Sequence, residues 1–424
     1  MNTYGWDTVF IVNEDRINTI MAAHKDTVTQ CFEMAVPGTP TQKASGLFGA
    51  WQVAQGGSHE IIHLRLPIDQ GVLSSPDGPI NLAGLTLVIA VQLRWLEVQG
   101  NQNQQALKFD YRRLAEPNNP PTQDELSVIE LRDPDSVLTP AQNALLSYAL
   151  GKYLVANADQ ARFTFATVNL VPPTINSWLA PKKSAYAYLQ KESSDTGYLV
   201  IFSVTTDRDI SNLERRVDEK AFPTATNASF LISDKLFLLN SVAPALAKAF
   251  NTNSEAFVFM EGERTLRNKH ALWARTVRVG LIDYTPSIST LIVRSGENNL
   301  DGIYSGSVDM RAGIMLYYNI HAKNPGYYDS GNGMLAFQPD PHPVESHNAD
   351  IPWWFYLTGI IVIAIVEIVV KVISDDLARQ ITDDNRERLA LGKNPPSSIS
   401  WGYDSGWSVS FVGINGAVYL HGNV

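Results

Sequence analysis

His59-Glu60-Ile61-Ile62-His63-Leu64-Arg65-Leu66-Pro67-Ile68 admits two incompatible readings, and the fold turns on the choice between them. As a helix, its first five residues match the zinc-protease string, with two imidazoles one turn apart on one ion and a carboxylate activating water. As a strand, period-two alternation puts Ile62, Leu64, Leu66 and Ile68 on one face and His59, His63 and Arg65 on the other, with Glu60 turned away from both histidines. Gly56-Gly57 just before the string and Pro67 near its end favour the strand. Along a strand, four residues span about 13 Å, too far for both imidazoles to reach one ion at about 2 Å. The segment is expected to be extended, with a zinc hydrolase at His59, Glu60 and His63 kept as the disfavoured alternative.

Outward from this segment, alternating runs at Gly84 to Val98, Tyr198 to Thr205, Ser289 to Arg294 and Gly313 to His321 read as antiparallel strands. Near the end, Ser408 to Ile414 and Ala417 to His421 flank Asn415-Gly416, the preferred pair for a two-residue hairpin turn. Three helices are expected. The first runs from Glu14 to Ala35 with Ile17, Ile20, Met21, His24, Val28, Cys31 and Phe32 on one stripe after a cap at Asn13. The second starts at Thr139 as N-cap with Pro140 at the first helical position and carries Leu146, Leu150, Tyr153 and Leu154. The third spans Ser233 to Phe250, kinked or restarted at Pro244. Few helices among many strands, without βαβ alternation, point to an α+β protein.

The 424 residues are 45% hydrophobic and 18% charged, the balance of a folded chain. A net charge of -10 opposes sequence-independent nucleic-acid binding and bulk adhesion to anionic membranes, although a local basic patch remains compatible with it. Cys31, the single cysteine, excludes a disulfide framework and a Cys-based zinc site, and reads as a small core side chain. There is no Gly-Lys-Ser/Thr phosphate loop, nucleophile elbow, dinucleotide fingerprint or EF-hand loop, so no cofactor is called for. Asp133, Asp135, Asp375 and Asp376 read as loop punctuation and helix-start charges rather than an acid–base pair. The beginning lacks a secretory signal, and with the lone cysteine this gives the expectation of a cytoplasmic protein, release by a non-classical route staying open.

Ile351 to Ile373 is the most apolar stretch, opening Pro352-Trp353-Trp354-Phe355-Tyr356 and long enough to span a bilayer. Glu367 and Lys371 would each cost about 2.5 to 3.5 kcal/mol at a bilayer centre, while each Ile or Val returns about 0.3 to 0.6. Eleven Ile and Val between Ile360 and Ile373 roughly cancel that penalty. The helix-pair spacing of Glu367 and Lys371 tips the reading to a helix inside or beside a soluble protein. Trp353, Trp354, Phe355 and Tyr356 are the candidate lipid or membrane contacts, because such rings favour the interface.

Met1 to Val9, Trp51 through Ser58, Arg208 to Leu213 and Ser229 to Ser233, together with the length, resemble the clostridial P-forty-seven (forty-seven-kilodalton toxin-cluster) family. That resemblance implies the elongated tubular lipid-binding (TULIP) fold, in which strongly curved antiparallel sheet wraps around long helices. It implies TULIP-like halves at 1–220 and 221–424, the latter with the apolar helix 351–373, or else one continuous domain. It also implies a toxin-cluster setting with OrfX-type partners, and it carries no catalytic residue. The expected function is a non-catalytic lipid-binding or toxin-associated accessory protein acting through an apolar groove and protein contacts. A structural assembly partner without lipid is the alternative.

Overall fold

In the computed structural model the described residues are 1–37, 42–76, 78–116, 119–171, 174–191, 194–279, 281–310, 314–349, 367, 369–371, 378–383, 386–403 and 406–424. They form two compact units. One comprises residues 10–228, 397–407 and 424, the other 1–9, 229–396 and 408–423. The boundaries near 9 and 228 fall within strands, Thr8–Asn13 and Ala228–Ile232.

The first unit is built on an eleven-stranded sheet. Its path runs Cys31–Ala35, Lys43–Phe48, Ile61–Leu73, Thr86–Val98, Asn101–Phe109, Thr164–Asn169 and Ile399–Trp401. Gln52–Ser58 and Ile80–Asn81 also pair with Ile61–Leu73, and Glu125–Arg132 pairs with Thr86–Val98. These pairings are antiparallel; Arg113–Leu114 joins Glu125–Arg132 in parallel. Ile62, Leu64, Leu66 and Ile68 are fully or almost fully buried while Ile61, His63, Arg65 and Pro67, which alternate with them, are half-buried, as the alternation requires. An aromatic chain fills this unit: Phe32 to Phe48, Phe48 to Trp51, Trp51 to Phe109, Phe109 to Phe165 and Phe165 to Phe163 meet at ring-centroid distances of 5.0, 6.5, 6.0, 5.1 and 5.0 Å.

Glu14–Ala23 is the first helix, capped by the Asn13 side chain, which accepts from Arg16 N at 3.0 Å. It buries Ile17, Ile20 and Met21. Asn18 bonds Val53 on strand Gln52–Ser58 in both directions, Val53 N to Oδ1 at 2.7 Å and Nδ2 to Val53 O at 3.1 Å, as a neighbouring strand would. The expected continuation to Ala35 is corrected. The helix ends at Ala23, a short 3₁₀ turn follows at Lys25–Thr27, and Cys31–Ala35 is a strand paired with Lys43–Phe48. Thr27-Val28-Thr29 is a run of β-branched residues, which lose χ1 freedom in a helix and favour extended backbone. Cys31 is accordingly exposed on that strand and not a core side chain.

Pro140–Ala156 begins as the sequence indicated. Thr139 and Gln142 form a reciprocal capping box, with Gln142 N donating to Thr139 Oγ1 at 3.3 Å and Thr139 N to Gln142 Oε1 at 2.9 Å. Just before it, the Asp133 carboxylate accepts from Val137 N at 3.0 Å and Leu138 N at 2.8 Å, the loop role expected of it. Leu146, Ala149, Leu150, Gly151 and Leu154 are the buried positions of this helix. Gly151 permits the closest approach to the sheet, since a Cβ there would lie 2.6 Å from Val128 Cγ2 and 2.9 Å from Leu114 Cδ1.

The second unit holds an eight-stranded sheet along Phe257–Met260, Thr265–Asn268, Ser287–Ser295, Asn299–Asp309, Met315–Asp329 and Met334–Phe337. Leu272–Trp273 pairs with Ser287–Ser295, and Val344–Ala349 with Met315–Asp329. Its helical segment runs Asp234–Phe237, a π turn Leu238–Val242, then Ala243–Ala249. In place of the kink or restart expected at Pro244, the helix passes without a gap through the π turn into a new α segment of which Pro244 is the second residue. A regular helix would give the Asn240 carbonyl to residue 244, and proline has no N–H. The Arg388 guanidinium donates to that carbonyl instead, and Asn240 Nδ2 donates to Leu236 O at 2.9 Å. The hairpin Ser408–Asn415 with Ala417–Asn423 is present, but its register pairs Ile414 with Val418 and Asn415 with Ala417, so the bend centres on Gly416 (φ 69°) and Asn415 keeps a negative φ. The expected wrapping of strongly curved sheet around long helices is not what the described residues show: among them Pro140–Ala156 is the only α-helix longer than ten residues, and the large elements are the sheets.

Gly151→Val should lower stability by about 1–3 kcal/mol through overpacking against Val128 and Leu114, more than any gain in helix propensity returns. Chemical denaturation followed by far-UV circular dichroism checks this, and an unchanged midpoint would show that the helix can lift off the sheet.

Candidate functional site

The one string with catalytic spelling is the natural place to look for chemistry. Ile61–Leu73 is a strand, as read, but His59 and Glu60 form the turn that joins it to Gln52–Ser58, rather than extending the strand backwards. His59 has φ 54°, left-handed backbone that neither a helix nor a strand uses. It is held there by two backbone bonds with Tyr188 on strand Lys183–Gln190: His59 N to Tyr188 O at 3.1 Å and Tyr188 N to His59 O at 2.6 Å. The His59 ring meets its neighbour Ser58, Nδ1 to Oγ at 2.8 Å.

Glu60 is occupied on both its backbone and its side chain. Its carboxylate pairs with Arg215, and its carbonyl accepts from the Tyr186 hydroxyl at 2.7 Å. That hydroxyl accepts from Leu93 N at 2.6 Å on Thr86–Val98, tying the turn to the sheet behind it. Burial drives the Tyr186 phenol well above its usual range. The Tyr188 phenol rises further, first by burial and then by the hydrogen bond its hydroxyl donates to Glu14 Oε2 at 2.7 Å. Both phenols stay protonated and act as donors.

His63 sits on the strand with its ring over Gly56, whose φ of 100° is glycine territory and where a Cβ would stand 2.7 Å from His63 Nδ1. Burial lowers the His63 pKa, partly offset by a hydrogen bond with the Gln55 backbone. The string is therefore split between a left-handed turn and a strand. Among the described residues no group of three His, Cys, Asp or Glu is arranged to hold a metal ion.

A second polar cluster had no sequence signal. Asp301, 6% exposed, accepts from Arg294 Nε at 2.7 Å through one oxygen and meets His321 Nε2 at 2.5 Å through the other. Burial opposes ionisation of Asp301, but the hydrogen bonds and charges of Arg294 and His321 outweigh it and hold its pKa below the usual carboxylate value. The three residues come from three strands whose register pairs Arg294 with Asp301 and Ile303 with His321, and only that register makes them neighbours. Chemically the cluster is a buried acid satisfied by two partners.

Trp353, Trp354, Phe355 and Tyr356 lie outside the described residues, as do Asp375 and Asp376. Of the apolar segment, Glu367 and Lys371 are helical and exposed, and Val369 is buried. No helix among the described residues is long and apolar enough to cross a membrane.

Comparisons with known proteins converge on one group. The sequence matches the OrfX-like family, described as Protein OrfX2/OrfX3/P47, over residues 3–382. It is 26% identical over 358 residues to Protein P47 of Clostridium botulinum (strain Kyoto / Type A2), covering 82% of this chain and 83% of that protein. It is 27% identical over 274 residues to Protein OrfX3 of the same organism, covering 58% of this chain and 55% of that protein. The solved structure of P47 from Clostridium botulinum A2 superposes with a TM-score of 0.76 at 24% identity over 100% of this chain and 98% of that one, a likeness of fold.

His63 and His421, whose pKa values are both lowered by burial, bind protons more weakly in the folded than in the unfolded chain. Their contribution is therefore intact above the unfolded value of 6.5 and is lost as the pH falls below it. The double variant His63→Gln, His421→Gln should flatten the fall in urea midpoint between about pH 6.5 and about pH 5.5. A slope equal to that of the unsubstituted protein would show that both rings protonate freely in the fold.

Proposed function

The chain belongs to the OrfX-like family, and from that premise we propose that it is a non-catalytic accessory protein of the toxin-cluster kind, acting by contact with an OrfX-type protein. The observation that carries the reading is the fate of the catalytic-looking string. His59 is bound through its backbone to Tyr188, Glu60 is neutralised by Arg215, and His63 is packed over Gly56. Each is used in holding a turn to a sheet. The zinc-hydrolase alternative needs a helical turn where this chain has a left-handed bend. Supporting the choice of partner, the family match embraces OrfX2, OrfX3 and P47 proteins together.

Co-expression with an OrfX3-type protein, followed by size-exclusion chromatography, tests this. Co-elution in a fixed ratio is expected, and separate elution at micromolar concentrations of both would defeat the partner assignment.

A further inference from the structure

One margin of the eight-stranded sheet is a strand whose side chains stand clear of the core. Val344–Ala349 pairs with Met315–Asp329 over six unbroken positions, from Leu316 opposite Ala349 to His321 opposite Val344. Among the described residues no strand pairs with its other edge. Successive side chains of a strand point to opposite faces of the sheet. Even so, Val344, Glu345, Ser346, His347 and Asn348 are all exposed, Val344 by 69%. These five side chains cover no core, and the backbone ladder to Met315–Asp329 is what holds the strand in place.

The outer edge of this strand also lacks the usual protection. Native edge strands are blunted by a lysine, a proline, a bulge or a covering element, because a row of open N–H and C=O groups pairs with any strand presented to it. Val344–Ala349 contains no lysine, arginine or proline, Pro343 standing just before it, and its register shows no shift. It does contain a carboxylate and an imidazole two residues apart, Glu345 and His347, which share one face and flank Ser346.

We propose that this edge pairs with the same edge of a second copy of the chain, as antiparallel strands about a two-fold axis at Ser346. In such an isologous contact the same residues face one another from both sides. With the axis normal to the sheet every residue keeps its face, and paired residues share a face, so the symmetric registers are those centred on a residue. Centring on Glu345 sets two carboxylates opposite one another, and centring on His347 sets two imidazoles opposite. Centring on Ser346 sets each Glu345 opposite His347 of the other copy, twice by symmetry, and Val344 opposite Asn348. The carboxylate accepts from the ring N–H, and the two carry opposite charge when the ring is protonated. A second copy suits this edge better than an OrfX-type protein, because the complementarity lies within the strand itself. The inference goes beyond the contact proposed above and does not rest on it.

Sedimentation equilibrium of the purified full chain tests it. The unsubstituted protein is expected to dimerise reversibly as its concentration is raised. Glu345→Lys sets a lysine opposite His347, and His347→Glu sets two carboxylates opposite one another. Each variant alone should dimerise about tenfold more weakly, as two symmetry-related pairs turn from attraction to repulsion. An equimolar mixture of the two variants should regain the affinity of the unsubstituted protein. There the introduced lysine meets the introduced glutamate, and the remaining Glu345 meets the remaining His347. Damage to the fold would not be repaired by mixing, so recovery reports this register. The proposal is overturned if the unsubstituted protein is monomeric at every concentration reached, if both variants dimerise as tightly as it does, or if the mixture stays weak. Variants that dimerise unchanged but no longer co-elute with an OrfX3-type protein would assign the edge to that protein instead.

Discussion

Burial of Ile62, Leu64, Leu66 and Ile68 on one face of a single strand is the constraint from which the first unit is organised. Each such side chain is worth about 2 kcal/mol when removed from water. A slip of one residue would expose all four and bury His63 and Arg65 in their place. The register with Thr86–Val98, from Ile61 opposite Gln92 to Pro67 opposite Thr86, is held by that difference. On its other edge the strand changes partner, from Gln52–Ser58 alongside Ile61–Arg65 to Lys43–Phe48 alongside Ile68–Leu73. Pro67 lies between the two partners, where a residue without an N–H interrupts least. Its carbonyl is still used, accepting from Gly49 N at 2.8 Å.

The helices depend on this sheet more than on themselves. Glu14–Ala23 is too short to be stable alone, and its place is secured by three buried apolar residues and by the Asn18 amide laid along the Val53 backbone. Pro140–Ala156 begins with a complete capping box, but how closely it settles is decided by the missing side chain at Gly151. In the second unit Pro244, lacking an N–H, leaves a carbonyl without its usual donor. Arg388, distant in sequence, supplies one.

The same dependence explains why a string with the right letters does not form a helical zinc site here. A zinc-protease string works because a helix brings its two histidines onto one face. Here the strong alternation that begins at Ile61 claims the second histidine for a strand, and the bridge to Tyr188 claims the first for a turn. Asp301 with Arg294 and His321 shows the converse case, a close-knit polar cluster assembled from residues that no spacing in the chain would connect.

What the sequence determined by itself was whatever depends on neighbours within a few residues. The alternation of Ile61 to Ile68, the cap at Thr139 and the loop role of Asp133 were all readable, because each is set by local backbone preference and side-chain periodicity. Tertiary structure decided the rest. Thr27-Val28-Thr29 could end a helix, yet it took the partner strand Lys43–Phe48 to make Cys31–Ala35 extended; the apolar stripe that suggested one long helix fits both conformations in part. The bend at Gly416, the left-handed turn at His59 and the union of Asp301 with His321 follow from register and long-range hydrogen bonds. Those energies arise only when distant segments meet, and they exceed the small local preferences they override.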